Sequence, residues 1–275
     1  MMRRGLRYAV VAALSLAAAE ATAGVPEVQA LVARKAGILD LLHHRARKAL
    51  VNAAQDEAFG AYFTEHDHGA REKHKHRIDQ VSLAVQDRFQ VEEMCLIDPN
   101  GHEISRIVGK DIAHDLSTEE ASNAFFAPAF EQRPRTVYVS PIYISQDVHK
   151  WVLAYITPVV VDGTKKAILH YEHGLDVFQA IVSRDMGETG PFVLAVSQEG
   201  YVVADSRRAI PVARQGEMEE QGAYFEEFAF GGMTRDELLE RLGSERGGTV
   251  TTAEGTFAVA ARKAENWTLL AFEQQ

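Results

Sequence analysis

The chain has 275 residues, with 29 lysines and arginines against 39 aspartates and glutamates, and a formal net charge of −10 at pH 7. An acidic balance does not supply the basic face that nucleic-acid binding requires, so we expect no nucleic-acid partner. The length allows two small domains. Cys95 is the only cysteine. An intrachain disulfide is therefore excluded, and the apolar run around Cys95 indicates a buried, inert thiol.

The N-terminus carries the pattern of a secretory signal peptide over residues 1–23. Three arginines among the first seven residues precede an apolar run, Tyr8–Ala19, and Ala21–Ala23 offers a small-residue cleavage site. The run is shorter than the roughly 20 residues that a membrane-spanning helix needs. We therefore expect export to the periplasm and a mature chain that begins near Gly24. Anchoring in the membrane by an uncleaved signal is the alternative.

A long helical region is predicted for residues 24–90. Apolar residues recur at steps of three and four from Pro26 to Ala54, and a proline suits the first turn of a helix. A polar stretch, Phe63–His76, follows. The same spacing then returns over Ile78–Phe89, which predicts a second helix.

The pattern changes to strands in a first module, residues 91–186. The run Met94–Ile97, the turn Asp98–Gly101 and the run Glu103–Val108 predict a hairpin. A helix is predicted over Thr118–Phe130, with Ser117 as its N-cap and Glu120 at capping-box spacing. The remaining predicted elements are the strands Thr136–Tyr143, Trp151–Val161 and Ala167–Glu172 and the helix Leu175–Arg184.

The same order of elements returns in a second module, residues 187–275. Its predicted elements are the strands Phe192–Val196 and Tyr201–Ala204, a helix over Thr234–Leu242, and the strands Gly248–Thr252, Thr256–Arg262 and Trp267–Phe272. A long helix followed by two modules with mainly antiparallel sheets is an α+β arrangement. A pocket under the helices and loops on one face of such a sheet commonly binds a small molecule.

Four segments resemble a known family. They are LIDPNGHEISR at 96–106, LSTEEASNAFFAPAF at 116–130, and the pair Tyr138–Ser145 and Lys150–Pro158. They are similar to the extracytoplasmic double Cache sensor domains of bacterial chemoreceptors, sensor kinases and diguanylate cyclases. The resemblance implies a long N-terminal helix followed by two PAS-like modules, a membrane-distal type with the ligand pocket at 91–186 and a membrane-proximal type at 187–275. It also implies a small-molecule sensor, not an enzyme, with a membrane receptor, kinase or cyclase as partner.

The resemblance also implies where a ligand binds. Family members that bind amino acids use an arginine and two aromatic residues on one helix, a later tyrosine, a loop acid and an aspartate on the last strand. The matching positions here are, in that order, Asn123, Phe125, Phe126, Tyr143, Ser145 and Glu172. Asparagine in place of arginine removes the bidentate carboxylate clamp. We therefore do not expect recognition of an ordinary α-amino acid.

What remains at these positions is an aromatic wall with one carboxylate. The aromatic candidates are Phe125, Phe126, Tyr138, Tyr143, Trp151 and Tyr171. A cation is attracted to aromatic faces, and Glu172 can accept a charge-assisted hydrogen bond from it. The hypothesis is a ligand that is a small amine or another cationic metabolite. The alternative is that the aromatic residues are ordinary core and that Glu172 ends its strand in solvent.

Metal, cofactor and catalytic sites find little support in the sequence. The histidines of the N-terminal half, which are His43, His44, His66, His68, His74 and His76, include pairs two residues apart that do not share a helix face. They are interpreted as solvated positions. The chain has no Gly-rich phosphate loop and no nucleophile elbow. We expect no enzyme, no cofactor and no metal site.

Two other functions stay open at this point. The apolar stripe over Val28–Val51 suits a homodimer through the N-terminal helix, so a non-catalytic interaction module is one alternative. A metal-responsive periplasmic protein that uses the histidines is the other. The chain ends at Phe272–Gln275, about where a membrane-bound relative would enter its second membrane helix. We therefore expect a free periplasmic binding component, with an anchored sensor fragment as the alternative.

Overall fold

The structure is a computed structural model that describes residues 24–89, 91–145, 147–210 and 225–275. The predicted signal peptide lies outside these residues. The chain forms two compact units, one made of Leu42–Val177 and one that includes residues 24–41, 178–210 and 225–275. The long helix contributes to both units, which differs from the separate helical region predicted over 24–90.

The N-terminal part is helical, as predicted. It contains α1 (Val25–Ala53), α2 (Glu57–Thr64) and α3 (His68–Phe89). α1 matches its prediction within one residue, because its apolar spacing buries Val28, Val32 and Leu39 in turn. The stretch predicted as polar contains the end of α2 and the first turns of α3. Those turns of α3 bury none of their side chains. Their sequence therefore lacks the regular spacing of apolar residues from which a helix is predicted.

The first sheet follows and has six antiparallel strands in the order β3-β2-β1-β6-β5-β4. The strands are β1 (Glu93–Ile97), β2 (Glu103–Val108), β3 (Asp111–Ile112), β4 (Tyr138–Ser145), β5 (Lys150–Val161) and β6 (Thr164–Gly174). The predicted β1–β2 hairpin is confirmed. Its turn closes with a hydrogen bond from Gly101 N to Asp98 O at 3.0 Å, and Gly101 adopts a left-handed φ of 84° that suits glycine.

The predicted helix over Thr118–Phe130 is wrong in extent. The structure has a 3₁₀ turn at Glu120–Ser122 and a short helix, α4 (Phe126–Glu131). Asn123 lies between them in an extended conformation with ψ of 140°. The predicted capping box does not form, because Glu120 Oε2 instead accepts a hydrogen bond from Asn123 Nδ2 at 2.7 Å. A side chain that bonds locally in this way competes with continuous helix.

The second sheet has five antiparallel strands in the order β8-β7-β11-β10-β9. The elements are α5 (Leu175–Ser183), β7 (Phe192–Val196), β8 (Val202–Asp205), α6 (Arg235–Leu242), β9 (Gly247–Thr252), β10 (Gly255–Ala264) and β11 (Trp267–Gln274). Each matches its predicted element within about two residues at either end. Thr234 caps α6 in a full capping box with Glu237. The long helix and two antiparallel sheets confirm the predicted α+β class.

No helix among the described residues combines the length and the apolar character needed to cross a bilayer.

Candidate functional site

One face of the first sheet buries a cluster of polar side chains. Strand pairing sets Glu172 of β6 opposite Glu93 of β1, and His170 opposite Cys95. Side chains of a strand alternate between the two faces of a sheet, so these four residues share one face, called here the site face. All four are buried, each with 3% of its surface exposed.

Aromatic and aliphatic side chains cover the site face. Its buried apolar cluster contains Cys95, Ile97, Phe125, Ala129, Ala154, Ile156 and Ile168, with Phe126, Phe130, Tyr138 and Tyr143 packed against it. The ring of Phe125 stacks on His170 with centroids 4.5 Å apart and lies 5.9 Å from the ring of Tyr143. The segment that carries Phe125 and α4 therefore forms the aromatic cover of the polar cluster.

Glu172 is the centre of a buried hydrogen-bonded triad. The Tyr143 hydroxyl donates to Glu172 Oε1 at 2.5 Å and lies 3.0 Å from His170 Nε2. Burial raises the pKa of Glu172 to about 7, although the Tyr143 hydrogen bond acts in the opposite direction. Burial also lowers the pKa of His170 to about 3, so this imidazole is neutral. Glu172 can therefore change its charge near neutral pH.

A second buried carboxylate, Glu93, faces Glu172 across the β1–β6 pair. It accepts hydrogen bonds from the Cys95 thiol at 3.1 Å and from the Ser145 hydroxyl at 3.3 Å. Burial raises the pKa of Glu93 well above its usual value, and the negative charge of Glu172 raises it further. The two carboxyls therefore resist being ionised together.

Arg106 of β2 lies beside this cluster, and its charge is already balanced. Its guanidinium contacts Asp115 Oδ1 at 2.7 Å, Asp147 Oδ1 at 3.0 Å and Glu103 Oε2 at 3.5 Å. Among the described residues, neither Glu93 nor Glu172 forms an ion pair with this guanidinium. The cluster thus has more carboxylates than cations to neutralise them.

The structure brings seven of the nine predicted site residues to one side of the sheet. The pairs Tyr143 with Val152 and Tyr138 with Ile156 put both tyrosines on the site face. Ser145, Phe125 and Glu172 are buried there, and Phe126 packs against the cover. Asn123 is half-buried in the covering segment.

The other two, Trp151 and Tyr171, point to the opposite face of the sheet. Tyr171 pairs with Tyr155, and Trp151 is four residues before Tyr155 on β5, so the three share a face. There Tyr171 and Tyr155 pack with ring centroids 5.3 Å apart, and the Tyr155 hydroxyl hydrogen-bonds His43 of α1. The face of the sheet on which these side chains lie follows from the register of the strands, which amino-acid composition does not reveal.

Sequence reasoning missed Glu93, Cys95, Glu103, Arg106 and His170 as members of the site. The available signal was the two-residue spacing of Glu93 with Cys95 and of His170 with Glu172 in strongly apolar strands. A carboxylate or imidazole on the buried face of a strand needs a compensating partner or a function. Of the histidines weighed for metal binding, His43 is buried, His74 is half-buried, and His44, His66, His68 and His76 are exposed.

No family model and no curated protein matches the chain. Solved structures do match it over nearly its full length. A domain of a sensory box/GGDEF family protein from Vibrio parahaemolyticus has a TM-score of 0.70 at 13% identity, and covers 92% of this chain and 96% of its own. The extracellular domain of a histidine kinase has a TM-score of 0.69 at 14% identity, and covers 94% and 93%.

The chain has the double PAS-like sensor fold. This confirms the fold expected from the double Cache resemblance. The sensory domain of the Campylobacter jejuni chemoreceptor Tlp3 with isoleucine bound shares it, with a TM-score of 0.68 at 11% identity over 90% of this chain and 91% of that one. At such identities the likeness concerns the double Cache fold, and the chemistry of the site has to be argued from this chain's own residues.

Proposed function

We propose that this chain is an extracytoplasmic, non-catalytic sensor domain that binds a small cationic molecule on the site face of its first sheet. The observation that carries the proposal is the surplus of buried carboxylate beneath an aromatic cover. Glu93 and Glu172 face each other, while the nearby Arg106 is engaged by Asp115, Asp147 and Glu103. A bound cation would favour the ionised form of these carboxyls, which burial now disfavours.

The buried carboxylates also provide hydrogen-bond acceptors for such a ligand. Glu172 Oε2 accepts no hydrogen bond within the part of the chain that the structure describes. An unsatisfied buried acceptor costs free energy on the order of 1–3 kcal/mol. An ammonium group that donates to this oxygen would remove that cost and form a charge-assisted hydrogen bond.

The aromatic cover suits the same ligand. Tyr143 contacts Glu172 directly, Phe125 stacks on His170, and Phe126 packs against the same cluster. A cation over an aromatic face gains about 0.5–2 kcal/mol, more when water is excluded. A small amine with an apolar body would thus pair its charged end with Glu172 and its body with the rings.

The similar structures support a sensory role. The Campylobacter jejuni chemoreceptor domain has been solved with isoleucine and with L-valine, and both ligands carry an ammonium group. The other similar structures come from a histidine kinase and a GGDEF protein. Asn123 leaves this chain without an arginine at the position expected to grip a ligand carboxylate. We therefore propose an amine without a required carboxylate, sensed outside the cytoplasm on behalf of a receptor, kinase or cyclase.

The N-terminal helix supports a second, lesser part of the proposal, a homodimer. Ile38 and Leu41 are 37% and 47% exposed and lie three residues apart on α1. We expect Leu41→Glu to shift the molar mass measured by light scattering from dimer to monomer. A wild-type chain that is monomeric at high concentration would contradict the dimer and leave ligand binding unaffected.

The experiment that tests the sensor proposal is a thermal-shift screen against amines, amino acids, organic acids and purines. A ligand present at 100 times its dissociation constant stabilises the folded chain by roughly 2.7 kcal/mol. We expect amines to raise the melting temperature, and Glu172→Gln to remove that rise.

Glu254→Gln is the matched control, because Glu254 is exposed in the turn between β9 and β10 of the second sheet. It makes the same chemical change outside the cluster and should leave the rise intact. Stabilisation by anions alone, or by amines equally in Glu172→Gln, would contradict the proposal.

A further inference from the structure

We propose that Glu93, Cys95 and Glu103 form a binding site for a divalent transition-metal ion of the zinc class, on the site face next to the position proposed for the ammonium group. This site goes beyond the sensor function and does not depend on it.

The geometry brings three different donor atoms to one point. One ligand atom from each residue lies within 4.8 Å of the other two, and all three residues are buried. Glu93 and Cys95 are two residues apart on β1 and so point to the same face. Glu103 opens β2 opposite Ile97, beside an irregularity in the β1–β2 register. The β1–β2 hairpin therefore carries all three donors, and Ser117 N of the covering segment orients one of them by donating to Glu103 Oε2 at 2.6 Å.

The donor set has the chemistry of a zinc site. Zinc binds cysteine sulfur at about 2.3 Å and carboxylate oxygen at about 2.0–2.2 Å, usually with tetrahedral geometry. Donors around such an ion are about 3.5 Å apart. Cys95 Sγ and Glu93 Oε1 are 3.1 Å apart and the three ligand atoms lie within 4.8 Å of one another, so coordination of one ion would draw the most widely separated atoms closer together. A thiolate ligand favours zinc and similar ions over magnesium or calcium, which prefer oxygen.

A fourth side chain points independently to a cation here. Glu172 stands directly opposite Glu93 in the ladder, its side chain is 4% exposed, and its Oε2 has no hydrogen-bond donor among the described residues. A buried carboxylate oxygen in this state is available as the fourth ligand or as an outer partner of the ion.

The surroundings do not oppose a divalent ion. Arg106 is the cation close to Glu103, at 3.5 Å. Its charge is offset by Asp115 and Asp147. The other groups that border the cluster are the Ser145 and Tyr143 hydroxyls and His170, whose imidazole is neutral.

The test is a titration of the purified chain, with its thiol reduced, with Co²⁺ alone, followed by its thiolate-to-metal charge-transfer absorption. Because Cys95 is the only cysteine, such a band can arise only there. We expect a band that saturates at one equivalent of Co²⁺ and is removed by Zn²⁺. Amine binding plays no part in this readout, so its result is separable from that of the sensor proposal.

Variants decide whether the three residues act together. Cys95→Ser should abolish the band, and Glu103→Gln should weaken Co²⁺ binding by at least about tenfold, as loss of even an outer-sphere partner can. Glu254→Gln, an exposed control in the second sheet, should bind as the wild type does. If Cys95→Ser does not fold by circular dichroism, Glu103→Gln carries the test. The absence of a saturable band in the wild type, or equal binding by folded Glu103→Gln and Glu254→Gln, would overturn the metal site.

Discussion

The two sheets of the molecule use equivalent positions for opposite purposes. In the first sheet Glu172 pairs with Glu93 and His170 pairs with Cys95. In the second sheet the corresponding pairs are Phe272 with Phe192 and Leu270 with Leu194. The two phenylalanine rings stack with centroids 4.9 Å apart, where the first sheet sets two carboxyls against each other.

The difference supports the proposal that the first sheet carries the ligand site, while the second sheet forms apolar core. The second sheet buries Val196, Val259, Leu270 and Phe272 beneath Leu238 and Leu242 of α6, which is the arrangement that maximises apolar burial. The first sheet has polar side chains at the same ladder positions, so it lacks the stabilisation that apolar burial would provide there. Buried carboxyls cost free energy unless they are paired. The buried Asp205 of the second sheet is paired with Arg207 at 2.9 Å, whereas Glu93 and Glu172 have no arginine or lysine partner among the described residues. This contrast supports the binding role proposed for the first sheet.

The largest expected effect on stability comes from Phe272, the counterpart of Glu172 in the second sheet. Phe272→Ala should lower the free energy of unfolding by about 3–5 kcal/mol, because it removes a fully buried ring. Urea denaturation measures this. The folded fraction should still bind an amine with unchanged affinity. A loss of affinity in protein that is fully folded would mean that the second sheet also contributes to the ligand site.

Glu172, at the equivalent position of the first sheet, should make the stability of the fold depend on pH. Glu172 has a pKa of about 7 in the folded chain and a usual value of 4.5. The folded state therefore holds a proton that the unfolded state releases as the pH rises above about 4.5. This carboxyl should destabilise the fold progressively up to about pH 7 and no further above it, by as much as about 3 kcal/mol.

The measurement is the free energy of unfolding of the wild type minus that of Glu172→Gln across this range. The subtraction removes the opposite trend from the buried imidazoles His43, His170 and His173, whose pKa values burial lowers. We expect the difference to become more negative from pH 4.5 to 7. A flat difference would show that Glu172 is not buried as described.

The smallest effects should separate the two faces of the first sheet. Tyr171→Phe removes a hydroxyl with no hydrogen-bond partner among the described residues, so stability should change by less than about 1 kcal/mol and amine affinity should not change. Tyr143→Phe removes the donor to Glu172 and should change amine affinity severalfold in calorimetry. Equal effects of the two variants on affinity would contradict the assignment of Tyr171 to the opposite face.

Much of the fold could be predicted from the sequence, because its signals are local. The apolar period of α1 and the Asp98–Gly101 turn are each set by neighbouring residues. The covering segment was predicted less well, since its helix is broken by a side-chain hydrogen bond between Asn123 and Glu120. No pattern of hydrophobicity encodes such a bond.

The site could be predicted only in part, for the same physical reason. Tyr143 and Glu172 were found through a resemblance, and the strand register then showed them to be in contact. Glu93 and Glu103 were missed, because their meaning depends on which strand pairs with β1. Trp151 was included because aromatic character says nothing about which face of a strand a residue occupies.

The most direct test of the account is hydrogen exchange measured by mass spectrometry, with and without the amine that gives the largest thermal shift. A ligand that stabilises the whole fold slows the exchange of every amide that exchanges by global unfolding. The informative amides are those that exchange by local opening, because their extra protection marks where the ligand binds. The account predicts that this gain is confined to β1, β4, β6 and the covering segment 117–131. Protection centred on β7, β10 and β11 instead would contradict the claim that the first sheet is the site and the second is core.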